Sequence, residues 1–246
     1  MSRWKAAAIH ASISAAIGVL AALLIFGLWY PPPYAQATGA PELVMLLLGV
    51  DLTLGPLLTL VVFKAGKKGM AFDLAVIGTL QACALVYGLH VVAVARPVYI
   101  VGAVDRFVLV TANELDPEDL AQAQSGFRKL PWSGPRIVGT KLPTNGKEQA
   151  DLLFSALAGK DVEKFPKYYV PYAQVAAGML AKARTVQDVD GSHPENAPAL
   201  LTWLKEHSVQ PAAIRVLPLL APHGDFAIVL DAADGAVLDV LAMDLW

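Results

Sequence analysis

The fold class that this sequence predicts is an α-helical membrane region of three transmembrane helices, followed by an α+β domain with an antiparallel C-terminal meander. Two observations of pattern and one of composition predict it. Three apolar runs, each long enough to cross the roughly 30 Å of a bilayer's hydrocarbon core, lie in residues 1–96. From Pro97 the chain turns to β-branched and aromatic residues, and its last three apolar runs are separated by the turn signals PHGD and AADG. Hydrophobic residues make up 56% of the 246 and charged ones only 16%, too apolar a balance for an ordinary soluble protein. The chain therefore divides into a membrane region, 1–96, and a domain, 97–246.

Span one runs from about Ala6 to Tyr30, behind the basic leader MSRWK. Trp29 and Tyr30 at its far end suit a membrane interface, and PPPY then stops the helix. AQA at 35–37 resembles a signal-peptide cleavage site. The apolar stretch exceeds the usual h-region of roughly 7–15 residues, however, and a triple proline intervenes, so we read an uncleaved anchor. His10, Ser12 and Ser14 read as contacts to headgroups or neighbouring helices. The connection 31–42 carries one acid and no base, as an outer loop does.

Span two, Leu43 to Phe63, returns inward as LVMLLLGVDLTLGPLLTLVVF, with Asp51 as its single formal charge. Lys64, Lys67 and Lys68 directly after it, like Arg3 and Lys5 at the N-terminus, mark cytoplasmic ends, because short loops rich in Lys and Arg stay inside. A charged Asp51 facing lipid would cost about 3 kcal/mol, so it is protonated, paired or turned to protein. Pro56 removes a backbone donor, while Gly49 and Gly55 allow close helix approach. The span reads as a kinked, closely packed helix with one polar spot. Three uses of Asp51 stay open: pairing within the bundle by Thr53, Thr59, Gln81 or His90, docking of a partner helix, and proton or solute transfer.

Span three, Phe72 to Ala95, begins with Asp73, read as a helix cap or a neutraliser of the lysines, and runs outward to Arg96-Pro97. The N-terminus is then inside and the domain outside. In that domain PVYIVGAVDRFVLVT reads as one long strand or two short ones around Asp105-Arg106. Asp116-Pro117 opens a short helix, a strand covers Arg136–Lys141, and NGKEQADLLFSALAG is a helix ending at Gly159. Further helices are predicted at Tyr172–Ala183 and through Leu200–Glu206, with the turn-rich DVDGSHPENAP between them. Arg215–Leu220, Phe226–Asp231 and Val237–Ala242 form the meander.

Chemistry-bearing patterns are scarce. The chain has no G-x-S-x-G, Walker, dinucleotide, H-E-x-x-H or C-x-x-C motif, and nothing argues for an enzyme, a cofactor or a metal. Asp188, Asp190, Gly191 and Ser192 lack the terminal Glu of a calcium loop and read as a solvated turn. Cys83 is the one cysteine, so the domain has no disulfide. From Arg96 onward 14 bases face 18 acids, a sign that excludes nucleic acid as a partner. Phe165, Tyr168, Tyr169 and Tyr172 form either an exposed recognition strip or a partly buried seam.

A set of segments carries a resemblance: RWKA from Arg3, WYPPPY from Trp29, LLGVDLTLGPLLTLVVFKAGKKG from Leu47, FDLAVIGTLQ from Phe72 and ARPVYIVGAVDRF from Ala95. KYYVPY from Lys167 and DGAVLDVLAMD from Asp234 are weaker echoes. Together they resemble the TfpX/TfpZ family of type IV pilin accessory proteins, densely over the first 110 residues and loosely beyond. The resemblance implies a multi-pass bacterial inner-membrane protein with a periplasmic domain. It would assist its type IV major pilin as a pilin-specific chaperone or assembly modulator. On that reading Gly49, Asp51, Gly55, Pro56 and Gln81 meet the pilin's membrane helix. Tyr168, Tyr169 and Tyr172 meet its globular head. Membrane lipid is the other partner, and self-association stays open. The competing reading is a membrane sensor or transporter subunit that uses Asp51 and a ligand-binding outer domain; a pilin-modifying transferase would need acids or histidines clustered near Arg96, Asp105 and Arg106.

Overall fold

The computed structural model describes residues 1–246, Ala197 by its backbone alone. The chain forms two compact units, Met1–Ala35 with Gly39–Ala95, and Gln36–Thr38 with Arg96–Trp246.

Three long helices build the first unit. Helix α1 (Arg3–Leu24) is capped by Ser2, whose hydroxyl accepts from the Lys5 amide at 3.2 Å, and it continues through a π-helical turn, Ile25–Trp29. Helix α2 (Ala40–Val62) follows a left-handed Gly39, φ 68°, with Pro41 in its first turn. Helix α3 (Met70–Val94) follows a left-handed Gly69, φ 85°, where a side chain would be strained. All three are long and apolar enough to cross a membrane. Helix α1 packs along α2 and buries Ala7, Ser14 and Ala21, seven residues apart, with Gly18 lying against Leu48. Small side chains at that spacing let two backbones approach closely. Leu20, Leu23, Met45, Val61, Leu80 and Val86 point outward and are exposed, the reverse of a water-soluble bundle.

Trp29 and Tyr30 differ from expectation. Both are buried, in a cluster with Ile25, Ala35, Ala40, Val44 and Val92, and the Tyr30 hydroxyl donates to the Val92 carbonyl at 2.7 Å. The π-helical turn adds a residue to the end of the helix and so rotates these rings into the bundle.

The second unit is built on one seven-stranded sheet: β1 (Pro97–Ala103), β2 (Arg106–Thr111), β3 (Arg136–Thr140), β4 (Tyr169–Pro171), β5 (Ile214–Leu220), β6 (Phe226–Asp231) and β7 (Val237–Ala242), in the order β4-β3-β1-β2-β5-β6-β7. The meander β5-β6-β7 is antiparallel with the predicted turns, yet it is no separate sheet. β2 pairs with β5 in parallel, as β1 does with β3, so the whole is mixed. Val104-Asp105 turns β1 into β2, with Val104 held at φ 60°, a conformation disfavoured for a β-branched residue.

Short helices flank the sheet: α4 (Pro117–Gln122), α5 (Gly146–Leu157), α6 (Ala176–Leu180), α7 (Val186–Ser192) and α8 (Ala197–Glu206). One core gathers Tyr99, Val101, Val108, Phe127 and Tyr169; another gathers Val189, Leu200, Trp203, Ile214 and Val229 under α7 and α8. Asp188 to Ser192, read as a turn, lies in α7. Thr185 and Asp188 form a reciprocal capping box there, which starts the helix despite its polar composition.

Candidate functional site

Helices α2 and α3 leave between them an apolar groove of about 480 Å³, running from Leu43 to Leu58 on α2 and from Ile77 to Val92 on α3. Asp51 and Gln81 interrupt its apolar wall at mid-length. The Gln81 Nε2 donates to Asp51 Oδ1 at 2.9 Å and to the Asp51 main-chain oxygen at 3.1 Å. Gly55 makes this possible, since a β-carbon there would lie 2.0 Å from Gln81 Nε2. Higher up, Gly88 admits Leu47 in the same way, with 2.2 Å between Leu47 Cδ1 and the β-carbon position. Pro56 stands beside Gly55 inside α2, where it supplies no amide to the helix ladder.

Three of the five membrane-helix residues singled out from sequence, Asp51, Gly55 and Gln81, thus come together, with Pro56 next to Gly55 in the chain. Gly49 does not join them. Nothing lies within 4 Å of its β-carbon position, and its carbonyl accepts from the Thr53 hydroxyl at 2.8 Å. Of the internal partners weighed for Asp51, Gln81 takes it. Thr59 is buried and bonded at 2.6 Å to His10 Nδ1, a polar link between α1 and α2, and His90 is exposed.

Arg3 and Lys5 are exposed at the start of α1, and Lys64, Lys67 and Lys68 are exposed between α2 and α3, where Lys67 pairs with Asp73 at 2.5 Å. The three tyrosines of the second unit do not form one strip. Tyr169 is fully buried, edge-on to Tyr99, because β4 turns it into the core. Tyr172 is half-buried, packs on Phe107 and donates to the Gly235 carbonyl at 2.8 Å; burial pushes its phenol up to about 12. Tyr168 is also half-buried, beside Phe165 with Lys167 over its ring.

Comparison with known proteins gives this arrangement a family. The model of the family described as fimbrial assembly protein FimB matches residues 1–39. Two fimbrial assembly proteins of Dichelobacter nodosus, of serogroups I and E1, are 32% and 30% identical to the chain over 171 residues, 69% of its length. The match spans 66% of the length of each of these two relatives. A third, of serogroups C1 and C2, is 34% identical over 121 residues, 48% of this chain and 92% of that protein. The chain belongs to the fimbrial assembly protein family. No solved structure matches it.

The second unit also carries features that the sequence left unmarked. Helix α5 buries none of its residues, and Leu153, Phe154 and Leu157 are 61%, 69% and 78% exposed. Its amphipathic spacing was legible, but spacing alone does not tell a face packed on a core from one left open. Glu163 is buried with its Oε2 unpartnered among the described residues, and burial raises its carboxyl above the ordinary range. Among the described residues, no group of three His, Cys, Asp or Glu side chains converges to hold a metal ion.

Proposed function

We propose that this fimbrial assembly protein acts in the bacterial inner membrane as a pilin accessory protein of the TfpX/TfpZ kind, binding the type IV major pilin before or during assembly. Its three long helices cross the bilayer with the N-terminus in the cytoplasm, and its sheet domain lies in the periplasm. The observation that carries this reading is the α2–α3 groove, apolar along its length and polar at one level, in a chain whose relatives are named fimbrial assembly proteins. An apolar helix of the pilin laid in that groove would pack on leucine, valine and isoleucine side chains rather than on lipid. A second, weak contact between the sheet domain and the pilin head would raise the effective concentration of the first. Exposed Leu153, Phe154 and Leu157, with Tyr168, are the side chains available for it.

The test is deletion of the gene in its own host, followed by counting surface fimbriae and by affinity purification of the tagged full chain. Loss or misregulation of fimbriae, with the major pilin co-purifying in stoichiometric amount, is expected. Normal fimbriation together with no pilin in the eluate would overturn the reading.

A further inference from the structure

The α2–α3 groove lacks donors where it has acceptors. Gln81 spends its Nε2 on Asp51 twice over, leaving its own Oε1 buried and without a partner among the described residues. Asp51 lines the same groove and has a partner only on Oδ1 among the described residues. Gln81 Oε1 is enclosed at the contact with Gly55, whereas Asp51 offers the apolar wall of the groove a carboxylate oxygen without a partner among the described residues. Within a bilayer no water reaches such a site cheaply, and an unsatisfied polar group there is expensive. An acyl chain filling the groove would leave that oxygen vacant, since it brings no N–H or O–H. A polypeptide at that depth must be helical, because its backbone has to satisfy itself.

From this complementarity we infer that the groove recognises a transmembrane helix bearing one hydrogen-bond donor at mid-depth, placed to bond Asp51 Oδ2. The inference rests on the accessory-protein reading for the identity of the occupant, and adds to it the chemistry of recognition. Apolar packing along the groove supplies contact area, while the Asp51 acceptor sets register. A helix that slides by one turn moves its donor by about 5.4 Å and loses the bond. A helix without a donor leaves that acceptor vacant in either register. Asp51 thus discriminates among apolar helices that packing alone would accept alike.

The experiment uses the full chain in its own host, with a photo-crosslinking benzoylphenylalanine at Leu54 in the groove or, as control, at Val19 on the exposed face of α1. Leu54 is expected to capture the major pilin and Val19 is not. Asp51→Asn keeps an acceptor for Gln81 but turns the groove-facing oxygen into a donor, and should lower capture from Leu54 about tenfold. Asp51→Glu retains the acceptor and should restore most of it. Should Asp51→Asn lower the melting temperature in detergent, Asp51→Glu against Asp51→Gln, matched in length, repeats the comparison. Undiminished capture with the folded amide variants would overturn the donor requirement and leave groove occupancy standing. Capture of lipid or of a second copy from Leu54, in cells where pilin still co-purifies, would overturn the assignment of the groove and leave the accessory role standing.

Discussion

The Gln81 carboxamide occupies the volume that a β-carbon on Gly55 would fill, 2.0 Å from its ideal position, and from there it holds both the side chain and the main chain of Asp51. A small residue on one helix and a long polar one on the next are therefore a single device. The glycine contributes only space, and the glutamine uses it.

That relationship makes a prediction for a double-mutant cycle. Gly55→Ala displaces the flexible end of Gln81 rather than the helix, so the protein should still fold, with a loss of about 1 kcal/mol for the forfeited hydrogen bonds. In a Gln81→Ala background the same Gly55→Ala change should cost nothing, or gain a few tenths through helix propensity. Thermal unfolding of the four proteins in one detergent gives the coupling energy, and additive effects would contradict the arrangement.

Tyr30 ties the end of the first helical segment to the last turn of α3 through the Val92 carbonyl. Tyr30→Phe keeps the ring and removes only the hydroxyl, so the expected loss is about 1 kcal/mol. A residue anchored in headgroups would show no such loss in detergent. The melting temperature of the full chain separates the two.

Val104 sits at φ 60° on the exposed tip of the β1–β2 turn. Glycine adopts that conformation without the clash of a β-carbon. Val104→Gly should therefore stabilise the second unit by about 1 kcal/mol, the relief of left-handed strain exceeding the entropy gained by the unfolded chain. Chemical denaturation followed by tryptophan fluorescence measures it. A loss of stability would mean that the valine side chain has a packing role in the turn.

Glu163 makes a prediction in pH. Its carboxyl is raised by burial, with Asp161 adding to the effect and Arg106 and Lys164 opposing it. The folded state thus holds a proton that the unfolded state releases near the ordinary glutamate value. Stability then falls as pH rises from that value to the raised one, by at most about 1.4 kcal/mol per pH unit, and stays lowered above it. Glu163→Gln removes this dependence. The variant should gain on the native protein between acid and neutral pH, and show no gain below pH 4. Parallel stability curves across that range would contradict the burial.

Much of this architecture was legible in the chain. Three apolar runs can be buried from water only in a membrane or in a much larger core, so their length and the lysines at Lys64, Lys67 and Lys68 announced the helices to within a few residues. The meander was equally plain, because PHGD and AADG impose tight turns between β-branched runs. The level of the polar spot was also set, by Asp51, Gly55 and Pro56 within two turns of one helix.

Tertiary structure decided what each local pattern leaves free. Which of four polar side chains would hold Asp51 depended on how α3 lies against α2, and that contact is set by Gly88 and Gly55 together. The parallel joints of β1 with β3 and β2 with β5 bring together strands far apart in sequence, which no turn signal encodes. Tyr168, Tyr169 and Tyr172 look alike in sequence, yet a three-residue strand sends one to the core and leaves the other two half-buried. A sequence pattern states which faces are apolar; only packing states which of those faces is covered.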